Sequence, residues 1–156
     1  MRLKKHSDYA LRVLIFLALR KVEVTTIKDI AQVFDISHNH LMKVVQGLGQ
    51  LGHVKTVRGH KGGIWLGRPA NEIYLGAVLR QVGEENELAE CFADPSLCRL
   101  DALCRLKHVL FQAHEAFFKV LDQVSLADIL DQPAAMKALL DGDFSQAPFL
   151  AKPLAG

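Results

Sequence analysis

Residues 25–52 read TTIKDIAQVFDISHNHLMKVVQGLGQLG. Thr25-Thr26 opens a helix in which Ile27, Ile30, Ala31 and Phe34 recur at i, i+3, i+4 and i+7, the spacing of one apolar face. Asp35-Ile36-Ser37 breaks that period as a turn, and Ser37 can cap a second helix. Leu41, Val44, Val45, Leu48 and Leu51 form its inward side, and Gly52 ends it as a residue that tolerates the left-handed conformation. Two short helices about a tight turn predict a helix-turn-helix. The second helix opens with Ser37, His38, Asn39 and His40, followed by Lys43. These side chains carry donors and acceptors suited to base edges and phosphates, so they are the candidate DNA-reading residues.

The next fourteen or so residues extend the motif. Val54-Lys-Thr-Val57 and Ile64-Trp-Leu66 read as strands from their β-branched and aromatic residues. Between them lies Arg58-Gly-His-Lys-Gly-Gly63, where three glycines permit a tight tip carrying Arg58, His60 and Lys61. Such a hairpin is a wing, placed to lie along the phosphate backbone or in the minor groove. A glycine loop that cradles phosphate in an enzyme needs a helix directly after it. Here a strand comes instead. The predicted fold class is mainly α with a small β-hairpin wing: a winged helix-turn-helix domain plus a long dimerisation helix.

Upstream, Ser7 reads as the cap of a first helix with Asp8 in its first turn. Leu11, Leu14, Ile15 and Ala18 form one apolar face, and Val13, Phe16 and Leu17 another. A helix apolar on two sides must be covered on both, and a second subunit is one candidate cover. Residues 67–71 form a connector, a short helix runs through Leu75, Val78, Leu79 and Val82, and Gly83 ends it. The acidic residues Glu84, Glu85, Glu87 and Glu90 come next.

All three cysteines, Cys91, Cys98 and Cys104, then fall within fourteen residues. Pro95 and Ser96 break this segment into a loop that lets thiols converge. Asp101 reads as an N-cap, which puts Cys104 at the third helical position, where the positive end of a helix favours a thiolate. Soft thiolates at this spacing suit an iron–sulfur cluster or zinc. The alternative is a loop of buried or partly disulfide-bonded cysteines, which leaves one thiol over. Beyond it, Leu103, Leu106, Leu110, Ala113, Phe117, Val120 and Val124 alternate by three and four, an a/d seam that predicts pairing with a second copy. Ser125 caps a final short turn through Leu130, and a mobile tail is expected from about Gly142.

These readings divide the chain into a DNA-binding domain (1–82), a cysteine loop (83–104), a dimerisation helix with a short terminal turn (105–130) and a partly disordered tail (131–156). Charge divides similarly. Residues 1–70 hold twelve Lys/Arg against four Asp/Glu, which is +8, and residues 71–156 hold seven against thirteen, which is −6, together the chain's +2. A basic half beside an acidic one is an electrostatic footprint for nucleic acid. No apolar run reaches the roughly 18 residues of a membrane span. The start lacks a signal-peptide pattern, so a cytoplasmic protein with reduced thiols is expected. No Ser/His/Asp arrangement, metal-hydrolase motif or nucleotide loop suggests an enzyme.

Taken together, the chain resembles the small winged-helix, iron–sulfur-dependent bacterial regulators. The resemblance rests on Ser7-Asp-Tyr-Ala-Leu-Arg12, Ser37-His-Asn-His-Leu-Met-Lys43, Val57-Arg-Gly-His-Lys-Gly-Gly-Ile64, the three cysteines and Ser125-Leu-Ala-Asp128. It implies a homodimeric repressor that binds palindromic operator DNA when its cluster is intact. In the cluster-biogenesis branch a histidine three residues after the last cysteine is the fourth ligand; here that position is Lys107. The nitric-oxide-sensing branch uses an aspartate at the start of the first helix, supplied in trans, and Asp8 stands at that place. The resemblance to that branch is the nearer. It implies a [4Fe–4S] cluster, with [2Fe–2S] as alternative, held by Cys91, Cys98, Cys104 and the other subunit's Asp8. Nitric oxide is then the signal that lifts repression. The readings left beside it are a cluster-biogenesis or iron-responsive regulator on the same scaffold, and a zinc or thiol redox regulator.

Overall fold

The structure, a computed structural model, describes residues 3–21, 24–57, 59, 62–83 and 88–143. Helix α1 (Lys5–Leu19) is the hub. Ala10, Val13, Leu14 and Phe16 are wholly buried, with Leu17 and Ala18 nearly so. Within the chain its two apolar sides pack on α2 and α3 on one hand and on a later helix pair on the other. Ser7 does not cap α1. The helix begins three residues earlier than that cap implies, at Lys5, and Ser7 lies in the buried stripe with Ala10, Leu14 and Leu17, where a small side chain fits the close packing.

Helix α2 (Ile27–Phe34) starts as expected, with a reciprocal cap. The Thr26 hydroxyl accepts from the Asp29 N–H at 3.3 Å, and the Asp29 carboxylate accepts from the Thr26 N–H at 2.7 Å. Asp35 adopts the left-handed conformation (φ 49°) and turns the chain into α3 (His38–Gln50). Leu41, Val44, Val45 and Leu48 bury the inner side of α3 against α1 and α2. Its end is a complete Schellman motif: His53 N–H donates to Leu48 O at 2.9 Å, Gly52 N–H to Gly49 O at 3.0 Å, and Gly52 takes φ 75°.

Strands β1 (Val54–Val57) and β2 (Gly63–Leu66) pair antiparallel, Val54 opposite Leu66 and Val57 opposite Gly63. Val54 and Ile64 anchor the hairpin in the core, and Ile64 N–H also donates to Thr25 O at 2.8 Å. Gly67 crosses the end of α3 so closely that a Cβ there would lie 2.3 Å from Gly52 O.

Helix α4 (Leu75–Gln81) returns to the core through Val78 and Leu79. After the cysteine segment, with its short helix α5 (Glu90–Ala93), α6 (Arg105–Leu121) packs on α4, with Phe118 buried beneath the Arg80 guanidinium, 4.3 Å from the ring centre. The chain then rejoins the first domain: Leu126 N–H donates to Ile73 O at 2.7 Å, and the Leu126 side chain is wholly buried. Ser125 and Asp128 form the expected cap of that turn, with 2.8 Å and 3.3 Å bonds.

One helix lies where the sequence predicts only tail: α7 (Pro133–Leu140), carrying Pro at its first turn, packs on α1 with Leu140 against the core. Arg20 and Asp141 pair across that contact. Its eight residues are too few to show a clear period. The mobile-tail expectation otherwise concerns residues 144–156, outside the described residues.

Two substitutions grade these constraints. Thr26→Ala removes one cap and should cost about 1 kcal/mol. Gly67→Ala forces a backbone to move and should cost more, seen as a larger fall in the urea midpoint at unchanged m value. Equal midpoints would show that the contact between residues 52 and 67 is not tight in solution.

Candidate nucleic-acid interface and cysteine loop

Because one side of α3 is committed to the core, its other side is necessarily solvent-facing. Ser37, His38, Asn39, His40 and Lys43 are all exposed there. Ser37 occupies the N-cap position, but its side chain makes no cap bond. Gln46, one turn beyond Lys43, is exposed as well, and Lys55 lies exposed on β1. Both escaped the sequence reading, although the complement of the buried stripe marks Gln46. No Asp or Glu occurs between Asp35 and Glu72, so this surface presents only neutral and basic groups to a polyanion.

At the hairpin tip, Gly62 N–H donates to Gly59 O at 2.9 Å, and Gly59 takes φ 115°. Only glycine enters that region without strain, which is why the tip can be tight. Arg58, His60 and Lys61 lie outside the described residues, as do Glu84, Glu85 and Glu87.

The cysteine segment is a chain of short turns. Cys91 lies in α5. Asp94 then caps the turn at Pro95–Leu97, its carboxylate accepting from Ser96 N–H at 2.9 Å. Hydrogen bonding from the Ser96 side chain first, and from its backbone N–H second, holds the Asp94 pKa below its usual value. Cys98 ends this turn, and a second one spans Asp101–Leu103.

The expected helical position of Cys104 is corrected here. Asp101 begins the short turn, not α6, and Cys104 is itself the N-cap: its Sγ accepts the Lys107 N–H at 3.4 Å. The reason is local. The Asp101 carboxylate binds the Lys107 ammonium, which leaves the first free N–H groups of α6 to the sulfur. The Lys107 pKa is raised, foremost by the hydrogen bond to Asp101, with the charges of Asp101, Cys91 and Cys104 adding to it against the effect of burial.

The three thiols are free and half-buried. As a donor set they fit a soft, thiolate-bound metal centre: none is locked in a disulfide, and one already sits at a helix N-terminus. Among the described residues, however, no three Cys, His, Asp or Glu side chains converge into a metal-binding group. Asp8 lies half-exposed in the first turn of α1, paired with the Arg12 guanidinium at 3.0 Å. Arg12 also sits over the Phe34 ring, 5.7 Å from its centre.

Residues 3–132 match the family model Rrf2, an iron-dependent transcriptional regulator. The chain is 49% identical over 142 residues to the HTH-type transcriptional regulator NsrR of Geobacillus kaustophilus, covering 90% of this chain and 97% of that protein. Against NsrR of Bacillus subtilis (strain 168) the identity is 46% over 142 residues, with the same coverage of 90% and 97%. The oxidised form of Staphylococcus aureus CymR superposes with a TM-score of 0.65 at 26% identity, over 84% of this chain and 97% of that one. The mainly helical architecture with a two-stranded wing is therefore the expected one, and the relatives are transcriptional regulators, not enzymes. Among the described residues, no helix is long and apolar enough to cross a membrane.

The thiol assignment is directly measurable. Reduced, metal-free protein should react with three equivalents of a colorimetric disulfide reagent without denaturant. A thiol that reacts only after unfolding would place one cysteine in the core.

Proposed function

The chain belongs to the Rrf2 family of iron-dependent transcriptional regulators, and from that membership we propose that it is a nitric-oxide-responsive repressor. It would bind palindromic double-stranded operator DNA as a cytoplasmic homodimer while an iron–sulfur cluster is intact, and release the DNA when the cluster is nitrosylated. One observation carries this reading: a single chain presents both a carboxylate-free polar helix face and a loop of three free thiols.

Cys91, Cys98 and Cys104 would hold the cluster, as [4Fe–4S] or alternatively [2Fe–2S], with Asp8 as the fourth ligand across the dimer. Bound there, a cluster would supply iron able to take up nitric oxide, and Asp8 would be its one oxygen ligand among thiolates. Asp8 can be released for this role at little cost, since an exposed i,i+4 pair such as Asp8–Arg12 contributes only about 0.3–0.5 kcal/mol.

Two polar ties connect the loop to the DNA-reading unit. Lys4 Nζ donates to Gly83 O at 2.9 Å, fastening the start of α1 to the end of α4. His53, just before the wing, and Gln81, just before the loop, share a 2.7 Å hydrogen bond between side chains. A change at the loop or at Asp8 therefore reaches α3 through α1 and the wing through His53. The element with two positions would be the relative angle of the paired winged units.

Ser37, His38, Asn39, His40 and Lys43 would enter the major groove, with Arg58, His60 and Lys61 on the backbone beside it. Leu106 and Val120 are 65% and 64% exposed in the single chain, which supports α6 as the pairing helix, while Leu103 of the expected seam falls in the turn before it. The functional division would run as residues 1–82 for DNA, 83–104 for the cluster and 105–130 for pairing, with α7 packed back on α1. The family's iron dependence favours one second reading, an iron- or cluster-supply sensor using the same residues.

Anaerobically purified protein titrated with nitric oxide should lose its cluster absorption and its operator binding in parallel. Binding that persists after the colour has changed would favour the iron-supply reading. Asp8→Ala should keep the colour but alter the course of the nitric oxide reaction, and an unaltered course would remove Asp8 as ligand. Lys61→Ala should weaken all DNA sequences alike and lower the salt slope by about one charge. A sequence-selective loss would instead make the wing a base reader.

A further inference from the structure

We propose that Lys107 is the charge partner of the cysteine loop: its ammonium sets the electron affinity and the retention of the metal centre held there, without ligating it. This role rests on the cluster reading of the loop and adds to it a residue with a separate, measurable effect.

Three contacts position the group. The Lys107 N–H caps Cys104 Sγ at 3.4 Å, which fixes its backbone to one thiol. Its side chain turns back over the loop to pair with the Asp101 carboxylate. The ammonium then stands over the Phe92 ring, 5.8 Å from its centre, on the helix that carries Cys91. One cation thus joins α5, the turn at Asp101–Leu103 and the start of α6. The Lys107 and Asp101 side chains are only 25% and 22% exposed, so this pair is screened less than one on the open surface.

The chemistry is that of charge. A centre bound by several thiolates is anionic, and each added electron makes it more so. A fixed cation beside it stabilises the more reduced state and opposes loss of the anionic assembly. Asp101 braces the ammonium and offsets part of its charge, so the two residues should act on the centre in opposite directions.

The test uses cluster-replete protein prepared anaerobically, titrated with dithionite as electron donor, and separately challenged with a chelator. Lys107→Met should shift the reduced-to-oxidised ratio at the wild-type midpoint about tenfold towards oxidised, which is about 59 mV for one electron. It should also lose its colour to the chelator faster. Lys107→Arg should restore both values, and Asp101→Asn should shift the midpoint in the opposite sense. A Lys107→Met protein with wild-type midpoint and wild-type retention overturns the proposal, as does an Arg variant as altered as the Met one. Failure of the wild-type protein to take up any cluster would overturn the cluster reading itself, and this inference with it.

Discussion

The burial of α1 is the constraint on which everything else depends. Five of its side chains, Ser7 among them, are wholly enclosed, and each buried aliphatic or aromatic group of valine size or larger contributes roughly 1.5–3 kcal/mol. The helix touches α3, β2, α4 and α7, so it cannot shift without moving the reading helix and the wing. Its first turn carries Asp8, and its start is tied to the residue from which the cysteine segment departs. One rigid helix thereby connects a candidate sensor with a candidate reading head.

The cysteine segment has the opposite character. Among the described residues from 88 to 117, His114 alone is fully buried. The segment is held by turns, a capped sulfur and one lysine–aspartate pair, and α6 leaves Leu106, Val109, Phe111 and Val120 in solvent. Local hydrogen bonds of this kind are individually worth about 1 kcal/mol, far less than a core. A segment so lightly anchored gains order from whatever binds it, so a metal centre or a second subunit can change its shape at low cost. The winged domain, with its continuous core, is far more firmly held.

Much of this was legible in residue order, for identifiable reasons. The helix-turn-helix announced itself because Ile27, Ile30, Phe34, Leu41, Val44 and Leu48 obey a helical period and Thr26 and Gly52 mark its ends. The wing was legible because strand-formers flank glycines. What failed was capping. Ser7 and Asp101 both carry cap chemistry, but packing claimed the first and a lysine claimed the second. Helix α7 was too short to show a period. The Lys107 contact could not be foreseen, since it depends on a side chain folding back over a turn.

Whether the loop's metal state governs the reading head is the central question for this protein. Operator affinity of fully cluster-loaded protein, compared with the same preparation stripped of metal under reducing conditions, measures this directly. Loaded protein should bind at least about tenfold more tightly, a difference of about 1.4 kcal/mol. Equal affinity in the two states would contradict the coupling and leave the thiols without a part in DNA binding.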